Sequence, residues 1–249
     1  MDHSNLLVAV AMMNTAAAVD FNNLGADFLR AGHRNEAIEA FREVAKLIQP
    51  LSGVIHFEAA RKEASPAAVS PSEARRVFFK LKERVQRLNL LLLSTQRCAP
   101  LLEKLDYNRS SMMFTAPMKI SNLLNCGPES YTILSATLLY NLALTFQLNG
   151  TEKSLRKSAR LFQRAYSLAC YAEDGNNPYL EKLRMVSLNN SGHIHHQLGN
   201  YQAAKQHLAS LFEFVLSLPT SLSSEDMSER QAVLCNALLL QEPNIAAAA

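Results

Sequence analysis

The chain has 249 residues, of which 48% are hydrophobic and 19% charged, and its formal net charge at neutral pH is +3. A net charge this small gives no reason to expect nucleic-acid binding from overall electrostatics. The chain has only eight glycines and nine prolines, which are few for the many turns of an all-β protein, so the composition favours helices.

Neither the cysteines nor any short motif indicates a catalytic or metal site. Cys98, Cys126, Cys170 and Cys235 are far apart, and no C-x-x-C pair occurs, which is typical neither of zinc sites nor of disulfide scaffolds. The sequence has no Walker A motif, no G-x-S-x-G, no H-E-x-x-H and no dinucleotide fingerprint. We therefore expect no enzymatic activity, no metal and no cofactor.

The amino end contains an apolar run, Leu6–Met13, that superficially resembles a signal peptide. The residues before it include no Lys or Arg, and a helical pattern follows almost at once, so the run predicts a first helix. No stretch approaches the roughly 18 apolar residues that cross a bilayer. We expect a cytoplasmic protein without membrane insertion.

Three stretches of the chain repeat one pattern over two consecutive helices, A and B. A small residue stands among large ones on helix A, a second small residue follows on helix B, and a large residue comes four positions later. These residues are Gly25, Ala37 and Phe41 in the first stretch, Ala143, Ser158 and Phe162 in the second, and Gly192, Ala204 and Leu208 in the third. The small residues would let the two helices approach within roughly 8–10 Å.

A glycine follows each helix A, at positions 32, 150 and 199, where a left-handed conformation can end a helix without steric cost. Helix B is predicted at about 35–49, 152–172 and 201–217. The two small residues are twelve positions apart in the first and third stretches and fifteen apart in the second. This difference predicts three extra residues in the second loop, near 149–153.

The pattern resembles the tetratricopeptide repeat, a helix–turn–helix unit of 34 residues. The resemblance covers about 18–51, 136–170 and 185–218. It implies one domain, 1–249, with an all-α, right-handed α-α superhelix that acts as a non-enzymatic protein-interaction scaffold. The interrupted layout is also similar to uncharacterised tetratricopeptide proteins of unicellular algae.

The parts between and after the repeats have patterns of their own. The sequence predicts a linker at 64–72, a long basic amphipathic helix at 72–95, an extended and partly buried insert at 106–128, a C-terminal capping helix at 224–240, and a disordered tail at 241–249.

Asparagine occupies the same place in all three repeats. Asn23, Asn141 and Asn190 each stand two positions before the small residue of helix A, and Asn22 and Asn189 adjoin two of them. The resemblance implies that helix A lines a concave groove, as in kinesin-light-chain-like repeats with similar asparagine tracks. An amide offers a donor and an acceptor, which suits binding the backbone of an extended peptide. The alternative is that these asparagines only help to hold the helices together.

The insert suggests an occupant for such a groove. Because residues 106–128 are tethered between the first and second repeats, their effective concentration at the groove is high. We hypothesise that the insert lies in the groove, where it either completes the core or blocks binding.

Two further features have alternative interpretations. Residues 61–97 include nine Lys or Arg and three Glu, a local charge of +6, and Arg75, Arg76, Lys80 and Arg84 lie in the basic helix. They indicate either the solvated face of an amphipathic helix or, as the alternative function, a surface for nucleic acid or an acidic partner.

His193, His195 and His196 lie close together on the third helix A. Their spacing does not bring all three to one helix face, so it does not predict a metal site. His195 occupies the aromatic packing position of the repeat, and we expect it to pack.

Overall fold

The chain is helical through most of the part that the structure describes. The computed structural model of the protein describes residues 3–59, 113–121, 128–172, 177–218 and Leu234. These residues contain six α-helices and no strand, which confirms the predicted all-α class. The helices are α1 (His3–Arg30), α2 (Arg34–Ala59), α3 (Pro128–Gln147), α4 (Glu152–Tyr171), α5 (Pro178–Gln197) and α6 (Tyr201–Ser217).

The ends of the chain are described only in part. Helix α1 includes the apolar run Leu6–Met13, as expected, and none of the described helices is long and apolar enough to cross a membrane. Leu234 is helical and falls in the predicted C-terminal helix. The predicted linker 64–72, the basic helix 72–95, the other residues of 224–240 and the tail 241–249 lie outside the described residues.

Each predicted pair of helices A and B turns at a glycine. Gly32, Gly150 and Gly199 have φ angles of 81°, 69° and 73°. Glycine enters this left-handed region without the steric cost that a Cβ atom imposes. Each of these glycines lies seven positions after the small residue of helix A, and helix B begins two residues after the glycine.

The prediction of three extra residues in the second loop is wrong. Because α4 begins at Glu152, two residues after Gly150, this turn is no longer after its glycine than the other two. The extra residues lie inside α4, where three residues make nearly one turn and leave Ser158 on the same helix face. Ser158 accordingly donates a hydrogen bond of 2.7 Å to the carbonyl of Ala143.

Local sequence explains where α4 and α5 begin. The hydroxyl of Thr151 accepts a hydrogen bond from the backbone N–H of Ser154 at the start of α4. The side chain of Asn177 accepts bonds from the N–H groups of Tyr179 and Leu180, and proline follows it at the first position of α5. Each cap satisfies backbone donors that have no partner within the helix.

The chain divides into two compact units. The first comprises Met1–Glu103 with Pro117–Asn141, and the second comprises Lys104–Ala116 with Leu142–Ala249. Helix α1 packs against α2 in the first unit, and α5 packs against both α4 and α6 in the second.

The small residues of helix A permit close packing within each unit. A Cβ atom at Gly25 would lie 2.5 Å from Cε1 of Phe41, whose side chain is fully buried. A Cβ atom at Gly192 would lie 2.9 Å from Cγ of Leu208. A larger residue at either position would therefore require the side chain of Phe41 or Leu208, or the helix that carries it, to shift.

The substitution Gly25→Ala separates this steric role from helix propensity. Propensity alone would stabilise the helix by about 1 kcal/mol, while overlap with a buried ring costs about 1–3 kcal/mol. We expect a lower free energy of unfolding in urea, and we expect the loss to disappear in a Phe41→Leu background. A gain in stability with Phe41 present would contradict the packing role.

Candidate functional site

Residues 113–121 of the predicted insert 106–128 form neither helix nor strand, whereas Pro128, at its predicted end, begins α3. The side chains of Pro117, Met118 and Ile120 are nevertheless buried, while Thr115 and Lys119 are exposed. A buried backbone outside a helix or strand needs other partners for its N–H and C=O groups. In both units these partners include asparagine side chains.

Asn23 of α1 binds the backbone of Ile120 in the first unit. The N–H of Ile120 donates to Oδ1 of Asn23 over 2.8 Å, and Nδ2 of Asn23 donates to the carbonyl of Ile120 over 2.8 Å. One amide thus pairs with both polar groups of one residue, as a neighbouring strand does in a β-ladder.

Asn141 of α3 binds Met118 in the same way. The N–H of Met118 donates to Oδ1 of Asn141, and Nδ2 of Asn141 donates to the carbonyl of Met118, both over 2.9 Å. Asn22 adds a donor to that carbonyl at 3.3 Å, and its Oδ1 accepts from Asn141 at 3.0 Å. Because Asn22 and Asn141 are fully buried, water cannot replace these bonds.

Asn190 of α5 forms the corresponding pair in the second unit. The N–H of Phe114 donates to its Oδ1 over 2.9 Å, and its Nδ2 donates to the carbonyl of Phe114 over 2.7 Å. Asn190 also donates to Oε1 of Gln147 at 3.4 Å and accepts from Asn189 at 3.3 Å. The side chain of Phe114 packs against an apolar cluster of α5 and α6 that includes Leu208.

These three pairs hold residues of the segment 113–121 by their main chain. Each asparagine bonds to N–H and C=O groups, which every residue except proline carries, so the pairing places no requirement on the side chain of the residue that is held. Met118 and Ile120 are two positions apart, which is the step at which an extended chain presents its backbone on one edge. Helix residues that pair reciprocally in this way can hold an extended segment without a β-sheet.

Two charged residues of the site were missed in the sequence. Asp27 lies 2.6 Å from Nζ of Lys119, and Arg30 donates a hydrogen bond of 3.1 Å to the carbonyl of Pro117. Asn23, Asp27 and Arg30 are spaced i, i+4 and i+7, so a helical repeat places them on one face of α1. The i, i+4, i+7 spacing from Asn23 is the sequence pattern that could have predicted Asp27 and Arg30 as site residues.

Three histidines of α5 and α6 lie in partly buried surroundings in the second unit. His195 stacks on His207 with ring centroids 5.2 Å apart and planes inclined by 9°, so His195 packs as expected. Burial lowers the pKa of His195, and burial followed by the charge of a neighbouring histidine lowers the pKa of His193 and of His207. Within the described ranges, no group of three His, Cys, Asp or Glu side chains could hold a metal.

The predicted site residues fall into two sets. All five asparagines, at positions 22, 23, 141, 189 and 190, take part in the contacts described above, whereas the basic patch of Arg75, Arg76, Lys80 and Arg84 lies outside the described residues. Comparison with known proteins finds no family model, no curated protein and no solved structure that matches the chain. The chemistry of the asparagine contacts is therefore what indicates a function.

The substitution Asn141→Leu tests the energy of one such contact. It leaves the buried N–H of Met118 without its asparagine acceptor, and we expect the free energy of unfolding to fall by about 2–3 kcal/mol in urea. Asn149→Leu is a matched control because it makes the same change at an exposed asparagine in the turn after α3. Equal small effects of the two substitutions would show that the Asn141 contact contributes nothing.

The histidines predict a pH dependence of stability. The pKa values of these histidines in the folded protein lie below the ordinary value of about 6.5. Below that pH the unfolded chain therefore binds more protons than the folded protein does. The contribution of the three neutral histidines to the free energy of unfolding is complete above about pH 6.5 and is lost as the pH falls. We expect a lower free energy of unfolding at about pH 5.5 than at about pH 7.5.

His207→Phe should reduce this loss, because it keeps a ring against His195 and removes one titrating group. An unchanged pH difference in the variant would contradict the assignment to His207.

Proposed function

We propose that this protein is a non-enzymatic interaction scaffold of the tetratricopeptide type that binds an extended peptide by its backbone. In this proposal its own residues 113–121 occupy the binding positions of both units in the absence of a partner. The observation that carries the proposal is the reciprocal pairing of Asn23, Asn141 and Asn190 with Ile120, Met118 and Phe114.

The chemistry of these asparagines supports peptide binding over a purely structural role. A side chain that only held two helices together would bond only to those helices. Asn141 and Asn190 do donate to Asn22 and Gln147 of other helices, but each of the three amides also bonds to both backbone groups of one non-helical residue. Peptides that add to an exposed sheet edge are bound through the same donor–acceptor pairs, with side-chain pockets adding selectivity. In this protein the donor–acceptor pairs that a sheet edge would supply come from asparagine amides on helices.

The tether makes the internal segment a strong competitor. A covalently linked segment acts at an effective concentration on the order of 1 mM. For an external peptide of the same sequence, the apparent Kd on the intact protein is therefore about 1 mM, however tightly the free site binds. A partner must bind more tightly than residues 113–121, or these residues must first be released.

A replacement of the internal segment tests the proposal. We define the open variant as the full chain in which Gly and Ser of equal length replace residues 113–121. The synthetic peptide of residues 113–121 should bind the open variant at least tenfold more tightly than it binds the intact protein, as measured by fluorescence anisotropy. The reason is that the tethered competitor has been removed.

The control is the open variant with Asn141→Leu, in which binding should weaken by at least tenfold because the buried Met118 contacts are lost. If the open variant loses helicity, the peptide should restore the circular dichroism signal and raise the Tm. A folded open variant that does not bind the peptide would contradict the proposal, and so would an unfolded one that the peptide does not restore.

A further inference from the structure

A basic side chain separates the two residues that the asparagines hold in the first unit. Lys119 lies between Met118 and Ile120, and its Nζ is 2.6 Å from Oδ1 of Asp27. The Lys119 side chain is 40% exposed and the Asp27 side chain is 30% exposed, so the contact lies at the surface of the unit. Asp27 therefore contacts the side chain of Lys119, while asparagines bind the backbones of Met118 and Ile120 on either side of it.

The neighbours of Lys119 in the segment are apolar and buried. Met118 and Ile120 are 9% and 4% exposed, and Pro117 is also buried. The carbonyl of Pro117 accepts a hydrogen bond from Arg30, which also contacts Asp27 at 3.4 Å. The surroundings thus differ sharply between the middle position, which is charged and partly exposed, and the positions on either side.

We infer that the first unit selects peptides in which a Lys or Arg stands between two apolar residues, and that Asp27 binds the basic side chain. This inference rests on the proposed function, because it names the class of peptide that the asparagine site would accept. The asparagines supply affinity for any backbone, and Asp27 supplies the preference for a positive charge.

The strength of the preference follows from the exposure of the pair. A partly exposed ion pair contributes little by itself, but exchange of the basic residue for an acidic one removes an attraction and adds a repulsion. We expect this exchange to weaken binding about fivefold to tenfold at low salt. The difference should shrink at high salt because exposed charges are screened.

Three peptides test the selectivity on the open variant: the sequence of residues 113–121, its Lys119→Glu form and its Thr115→Glu form. Thr115 is exposed and lies four positions before Lys119, so its form adds one negative charge at another position, half of the two-unit change that Lys119→Glu makes. We expect the Lys119→Glu peptide to bind about fivefold to tenfold more weakly and the Thr115→Glu peptide to stay within about twofold. In an Asp27→Asn open variant the difference at position 119 should vanish or invert, since the negative charge is lost while Arg30, which contacts residue 27 and the carbonyl of Pro117, keeps its positive charge.

The outcomes separate this inference from the proposed function. Equal binding of the unmodified and Lys119→Glu peptides would overturn the selectivity and leave peptide binding intact. If none of the peptides binds a folded open variant, both proposals fail.

If the open variant does not fold alone, the same peptides are compared by the concentration that restores half of its helical signal. A preference for Lys that Asp27→Asn removes then supports the inference. Equal recovery with all three peptides overturns the selectivity, and recovery with none overturns both proposals.

Discussion

A buried main chain without secondary structure must find partners for its N–H and C=O groups, and the candidate site depends on that constraint. Met118 and Ile120 bury their side chains in the first unit but belong to no helix or strand. Burial of an unpaired peptide group costs about 1–3 kcal/mol, so the segment could not lie there unless other groups replaced water. Asn141 and Asn23 do so for both polar groups of each residue.

The same constraint explains why asparagine and small residues occur together on helix A. The amide must be held rigidly to meet two backbone groups at once, and a packed helix supplies that rigidity. Gly25 lets α2 approach α1 closely on one side, while the amide of Asn23, two positions earlier, bonds to the backbone of Ile120. Asp27 and Arg30 continue the Asn23 face of α1. The contacts to the backbone of Ile120 and to the side chain of Lys119 thus come from successive turns of one helix.

Much of this arrangement could be predicted from the sequence, because the patterns that indicate it lie within short stretches of the chain. The three helix pairs, their left-handed glycines and the three equivalent asparagines follow from fixed offsets within each repeat, although α2 runs to Ala59, beyond its predicted end at about 49. The misplaced loop insertion shows the limit: the spacing from Ala143 to Ser158 predicts three extra residues but does not say where they lie, and they lengthen α4 rather than the loop before it. The sequence could suggest that the insert lies on the asparagines, but not which residue meets which amide. Register across about 97 positions, as between Asn23 and Ile120, is set by packing rather than by local pattern.

Amide hydrogen exchange measured by NMR tests the central claim most directly, because it reports on the backbone groups that the asparagines are said to bind. The N–H groups of Phe114, Met118 and Ile120 should exchange far more slowly than in an unstructured peptide, although none of them lies in a helix. Asn23→Ala should speed exchange first at Ile120, Asn141→Ala at Met118, and Asn190→Ala at Phe114. Exchange of these three amides at unstructured rates in the intact protein would contradict the account.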